Sequence, residues 1–165
     1  MRPTTSKVKL ALTSMLGNDL INGSKVLDLF AGTGSVGMEL FKLGANKVMM
    51  IEKEKKLFLK LKEAIKPFNT DDLEVVKGDV FSIIPKIKES YDIIFADPPY
   101  IDDLLKKLIR SIEEANIASN NCILIYEHYK KVDTPDNYLK FKKLRDRTYG
   151  DSRLSIYKKN FEVKS

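Results

Sequence analysis

Short apolar runs alternate with amphipathic stretches along this chain. Val8, Ala11, Leu12, Met15 and Leu16 recur at helical spacing, which predicts a helix over Ser6–Leu16, with Thr5 or Ser6 as its cap and Gly17 as its stop. Compact β-type runs follow at Lys25–Phe30, Lys47–Glu52, Leu73–Lys77, Tyr91–Ala96 and Asn121–Tyr126. Helical patterns separate them at Ser35–Leu43, Glu54–Lys66, a short piece around Phe81–Ile87, and Asp102–Ala118. The pattern changes near the end. Tyr138–Arg147 and Ser152–Lys159 read as two strands joined by Thr148-Tyr149-Gly150-Asp151. Strand–helix alternation predicts an α/β domain with a mostly parallel sheet, here of seven strands, closed by an antiparallel hairpin.

Composition narrows the class. The 165 residues suit one domain, 1–165, and the pattern shows no repeat or linker. A 43% hydrophobic and 32% charged composition is that of a globular protein, and no apolar run reaches the length of a membrane span. The first residues lack an apolar stretch of the secretory kind, so none is expected. One cysteine, Cys122, sits in the apolar run Cys122–Tyr126 and reads as a buried, inert thiol in a reducing cytoplasm. The net charge of +6 permits a polyanionic partner, although much of the lysine falls on predicted helices as a solvated face.

The first strand ends in Phe30-Ala31-Gly32-Thr33-Gly34, and a helix starts directly after it. Glycine allows the backbone a tight turn and close approach to a ligand, and the free N–H groups of the helix face the loop. Gly32, Gly34 and Gly37 also satisfy the spacing of a dinucleotide fingerprint, with Glu52 downstream. Two features favour S-adenosylmethionine instead. Asp28 lies inside the strand, where its charge suits a cationic amino-acid end and would repel a pyrophosphate. Gly78-Asp79-Val80 ends the third strand and offers Asp79 as an acceptor for an adenine amine, while Glu52, with Lys53 beside it, is placed for the ribose hydroxyls. Asp79 also reads as the cap of the following helix.

At the end of the fourth strand stands Asp97-Pro98-Pro99-Tyr100. Two prolines stiffen the backbone and remove two N–H donors, leaving the Asp97 carboxylate and the Pro98 carbonyl as fixed acceptors. That pair suits an NH2 group, which has two donors. Holding both hydrogens favours pyramidal nitrogen and aims its lone pair at a methyl donor. Tyr100 offers a ring for stacking on an extruded base. The same tetrapeptide can be a structural turn with a core tyrosine. No metal site is expected.

Together, Val26-Leu27-Asp28-Leu29-Phe30-Ala31-Gly32-Thr33-Gly34 and Asp97-Pro98-Pro99-Tyr100 resemble the class I amino-methyltransferases, and more closely the RsmD family of bacterial enzymes that methylate guanine N2 in small-subunit ribosomal RNA. Arg2-Pro3-Thr4, Glu127-His128 and Tyr149-Gly150-Asp151 resemble further family segments, so the likeness runs through nearly the whole chain. The resemblance implies a Rossmann-like three-layer sandwich, S-adenosylmethionine as cofactor, Asp97, Pro98 and Tyr100 as catalytic residues, and Arg2, Thr4, Pro99, Tyr100, His128 and Tyr149 as substrate contacts. Family members carry a basic β-hairpin ahead of the Arg-Pro-Thr segment, whereas here Arg2 follows Met1; a form without it is expected to hold RNA less well.

The amine chemistry suits adenine N6 as well as guanine N2. Small size favours RNA, whose loops present bases already unstacked. Lys140, Lys142, Lys143, Arg145, Arg147, Arg153, Lys158 and Lys159 crowd the last two strands with Tyr138, Phe141, Tyr149 and Tyr157. They read either as an RNA surface or as the protective charges of an edge strand. The expected partner is ribosomal RNA or an assembling small subunit, met by a monomer. A catalytically silent RNA-binding module is the reading from another class, and a nicotinamide oxidoreductase a more distant one.

Overall fold

In the computed structural model, residues 6–99 and 103–159 are described. They divide into two compact units, Met1–Val80 and Phe81–Ser165. The first unit holds α1 (Ser6–Leu16), α2 (Asn18–Ile21), β1 (Lys25–Leu29), α3 (Ser35–Lys42), β2 (Lys47–Glu52), α4 (Lys55–Ile65) and β3 (Leu73–Lys77). Its strands run in parallel in the order β3-β2-β1, with Val26 opposite Val48 and Met50 opposite Val75. Val26, Leu27, Leu29, Val48, Met50 and Ile51 are fully buried, as strands covered on both faces require. α4 buries Leu61 among its apolar residues and exposes its lysines, so that run of charge is a solvated face.

The chain passes through α5 (Val80–Ile83) into the second unit, which holds β4 (Tyr91–Ala96), α6 (Leu105–Ala115), β5 (Ala118–Tyr129), β6 (Asn137–Tyr138), β7 (Phe141–Tyr149) and β8 (Ser152–Lys159). The order is β4-β5-β8-β7-β6, with β4 and β5 parallel and the later pairs antiparallel. α6 buries Leu105, Leu108, Ile109 and Ile112, the stripe its spacing predicts.

Most boundaries match the sequence pattern, and five features differ. β1 stops at Leu29, because Phe30 takes a left-handed φ of 56°. α6 ends at Ala115 instead of Ala118: Asn116 adopts φ 56° and its N–H closes on Glu113 and Ile112, a left-handed cap. The final apolar pattern begins with a separate two-residue strand, β6, so the described strands number eight and not seven. β5 is far longer than Asn121–Tyr126, so Glu127 and His128 lie within it and not after it. The β7–β8 link is also shorter than expected, since Tyr149 and Ser152 pair and leave Gly150-Asp151 as the turn. Gly150 has φ 60°, the left-handed geometry expected at the first position of a two-residue hairpin turn.

Candidate active site

In the first unit the glycine loop is held by two buried carboxylates. Glu52 ends β2 with 4% of its surface exposed. Its Oε1 accepts from the backbone N–H of Gly32 at 2.8 Å, and its Oε2 accepts from that of Glu54 at 2.8 Å. Each carboxylate oxygen has a second lone pair, so this anchoring leaves capacity for two hydroxyl donors. Asp28, 1% exposed, lies in β1, and its Oδ2 accepts from the N–H of Gly37 at 3.1 Å. A strand carboxylate thereby satisfies one of the unpaired N–H groups in the first turn of α3 and complements the positive end of its dipole.

The glycines of the loop have separate reasons. Gly32 and Gly34 take φ of 60° and 78°, a region costly for any residue with a Cβ. A Cβ on Gly34 would also strike the Leu61 side chain. Gly37 has ordinary helical geometry, but a Cβ there would lie 2.9 Å from Met50 Sδ and 3.0 Å from Asp28 Oδ2. Ala31 donates to the Ile51 carbonyl at 2.8 Å, which pins the loop to β2. Phe30 is half-buried, Thr33 and Lys53 are exposed, and Gly78 donates to the Glu52 carbonyl at 3.1 Å at the end of β3. Asp79 is half-buried, and Val80 is buried at the start of α5. Asp28, Glu52 and Asp79 thus stand in or just beyond three strands that are neighbours within one unit.

In the second unit Asp97 is half-buried, Pro98 buried and Pro99 exposed, immediately after β4. Tyr100, Arg2 and Thr4 lie outside the described residues, as does Thr5, the alternative cap of α1. Beyond the turn, Leu104 donates its N–H to Tyr126 Oη at 3.0 Å and Leu105 donates to Asp103 Oδ1 at 3.1 Å. Burial pushes the Tyr126 phenol up to about 12, and the charges of Asp103 and Asp97 add to the shift against the Leu104 hydrogen bond. It therefore stays protonated. Nothing in the sequence marked Tyr126 beyond its place in an apolar strand.

His128 is 8% exposed and stacks on Tyr126 with ring centroids 5.4 Å apart. Its Nδ1 lies 2.9 Å from the Tyr129 carbonyl and its Nε2 lies 2.7 Å from Ser155 Oγ. A carbonyl only accepts, so Nδ1 carries the proton and Nε2 accepts from the serine. Burial is the main cause that lowers the His128 pKa below 6.5, with the Arg153 and Lys143 charges assisting. Both ring nitrogens thus serve the sheet in this structure, and Glu127 beside it is fully buried. Tyr149 is half-buried at the end of β7. Cys122 is buried, and burial raises its thiol to about 12, the inert state its apolar setting implied.

The fold belongs to a recognised class. A conserved hypothetical protein from Streptococcus pyogenes superposes with a TM-score of 0.85 at 25% identity, covering 91% of this chain and 94% of its own. An RNA methyltransferase from Salinibacter ruber, solved in complex with S-adenosyl-L-homocysteine, superposes at 0.72 with 15% identity, covering 99% and 97%. The fold is the one seen in that methyltransferase.

The family described as conserved hypothetical protein 95 matches residues 1–158. Ribosomal RNA small subunit methyltransferase D of Buchnera aphidicola is 36% identical over 146 residues, which are 87% of this chain and 76% of that protein. This chain belongs to the RsmD family of methyltransferases. Among the described residues no helix is long and apolar enough to cross a membrane.

Proposed function

We propose that this chain transfers a methyl group from S-adenosylmethionine to the exocyclic N2 amine of a guanine in small-subunit ribosomal RNA. The observation that carries the cofactor half is the anchored loop: Glu52 holds Gly32 while keeping lone pairs for a ribose diol, and Asp28 holds Gly37. Buried carboxylates beside the loop, Asp28 and Glu52, suit a cationic nucleoside and disfavour a dinucleotide. In this reading Phe30 to Gly34 and Asp28 hold the amino-acid part, Glu52 and Lys53 the ribose, and Gly78, Asp79 and Val80 the adenine. Bound there, S-adenosylmethionine supplies an electrophilic methyl group on a sulfonium.

The acceptor half is Asp97, Pro98 and Tyr100. The Asp97 carboxylate and Pro98 carbonyl accept the two N–H bonds of the amine, so the nitrogen lone pair points away from both. The N–CH3 bond forms as the C–S bond breaks, and S-adenosyl-L-homocysteine leaves. The methylated nitrogen, briefly cationic, gives its proton to Asp97 or to water. No base with a raised pKa is needed. Pro99 and Tyr100 flank the base, and Arg2, Thr4 and Tyr149 complete the substrate side, while His128 is held within the sheet.

Ribosomal RNA as substrate draws support from relatives that carry that activity in their names. Guanine N2 rests on the residues resembling the family's terminal segments. Titration with S-adenosylmethionine and, separately, with NAD tests the cofactor. Nucleoside analysis of small-subunit RNA after methylation tests the atom: N2-methylguanosine is expected, and N6-methyladenosine would move the assignment to adenine.

A further inference from the structure

Strict alternation along β7 would group Lys142, Leu144 and Asp146 on one face and Lys143, Arg145 and Arg147 on the other. The pairing with β8 breaks that parity. Lys142 lies opposite Lys158 and Lys143 opposite Tyr157, but the next residue in register, opposite Ile156, is Arg145. Leu144 is extra and is 54% exposed. This bulge reverses the alternation. Directly opposed residues share a face, so Lys142, Arg145, Arg147 and Tyr149 join Lys158, Ile156, Leu154 and Ser152 on one side of the hairpin.

The acidic residue of the hairpin strands falls on the other side. Asp146 lies 3.3 Å from Lys143 and 4.0 Å from Arg153, both on its own face. On the cationic face Lys142 and Lys158 stand directly opposite each other, both exposed. Like charges opposed across strands are destabilising. Charges that only protect an edge strand need not be opposed to like charges on the neighbouring strand. The opposition of Lys142 and Lys158 adds nothing to that role.

The row also has an aromatic end. Tyr129 pairs with Ser152, and Ser152 pairs with Tyr149, so two tyrosines flank a serine on that same face. Their Cα atoms are separated by two strand spacings, about 10 Å. Tyr129 is 38% exposed and Tyr149 half-exposed. The serine between them is itself buried. This end lies beyond Tyr126, which pairs with Ala96, the residue before Asp97. The cations therefore lead toward the carboxyl end of β4, where the amine-accepting turn begins.

We propose that this face is the track for a single-stranded segment of the RNA substrate, with Lys142, Arg145, Arg147 and Lys158 on its phosphates and Tyr149 and Tyr129 against its bases. The inference rests on the RNA-methylating reading above and supplies its binding surface. A cationic groove ending in aromatic rings holds single strands through backbone charge and stacking, with little sequence preference.

The test is a salt series of fluorescence anisotropy with a labelled small-subunit ribosomal RNA transcript. The K142Q/R145Q/R147Q variant is compared with K55Q/K56Q/K60Q, an equal charge change on exposed positions of α4. Calorimetry with S-adenosyl-L-homocysteine checks that each variant is folded. The hairpin variant should flatten the slope of log affinity against log salt by roughly 2–3, and the α4 variant should leave it nearly unchanged. Equal slopes for the two variants, or a wild-type slope for the hairpin variant, would overturn the proposal while leaving the methyltransferase reading intact. Failure of the wild-type protein to bind RNA at any salt would overturn that reading itself. The single change K142Q guards against misfolding: it should flatten the slope by about 1 and leave the melting temperature unchanged or higher, through relief of the Lys142–Lys158 opposition. A lower melting temperature would show that Lys142 is structural.

Discussion

Tyr126 Oη, near the end of β5, accepts the backbone N–H of Leu104 at 3.0 Å, and so fastens the segment that follows the Asp97-Pro98-Pro99 turn. The segment is further closed by Asp103, which takes the N–H of Leu105. Replacing Tyr126 by Phe removes one acceptor and leaves a half-buried N–H to find another. Stability should fall by about 1 kcal/mol. If the fastening orients the turn, methyl-transfer kcat should fall several-fold more than that loss of stability explains, with the affinity for S-adenosyl-L-homocysteine unchanged. Single-turnover kinetics and calorimetry separate the two.

Glu52→Ala removes the acceptor for Gly32 and Glu54 together. Two charge-assisted bonds are lost, and a destabilisation of about 3 kcal/mol is expected. Cofactor affinity should drop by more than about tenfold, since the proposed ribose partner goes with them. Glu52→Gln, which keeps one carbonyl oxygen, should recover much of the stability and less of the affinity. Thermal melts with and without S-adenosyl-L-homocysteine give both quantities.

Gly37→Ala has a sign that decides between two accounts. Glycine in a helix ordinarily costs about 1 kcal/mol relative to alanine, so the substitution would stabilise an open site. Here the new Cβ meets Met50 Sδ and Asp28 Oδ2. Destabilisation by about 1–3 kcal/mol is expected, because the space is already filled. A gain in the denaturation midpoint would show that Met50 and Asp28 simply move aside.

Burial keeps His128 neutral in the folded protein, with its pKa below 6.5. Unfolding frees it to take up a proton as the pH falls below 6.5. The contribution is therefore fully present above pH 6.5 and is lost progressively as the pH drops toward the folded value. His128→Asn should remove that component: the difference in unfolding free energy between wild type and variant should shrink on going from pH 7 to pH 5. A difference independent of pH over that range would place the proton elsewhere.

The sequence disclosed the elements well where one periodicity acted alone. α1, β2, β3, β4 and β8 have the boundaries their patterns imply. It failed where a later contact overrode local pattern. Glu127 and His128 look like the polar end of a strand, yet register with Leu154 and Arg153 carries β5 through Tyr129. The carboxylates of the glycine loop were legible as residue types at strand ends, but not the hydrogen bonds by which Asp28 reaches Gly37 and Glu52 reaches Gly32 across 20 positions of sequence. Parity along β7 was unreadable for the same reason, since nothing local marks Leu144 as the extra residue.

The central claim is that Asp97 acts on the target amine. It is tested most directly by methyl incorporation into small-subunit ribosomal RNA from a strain lacking the enzyme, comparing wild type with Asp97→Ala and digesting the product to nucleosides. The account predicts N2-methylguanosine from the wild type, none above background from the variant, and retained binding of S-adenosyl-L-homocysteine by the variant. Undiminished methylation by Asp97→Ala would contradict it.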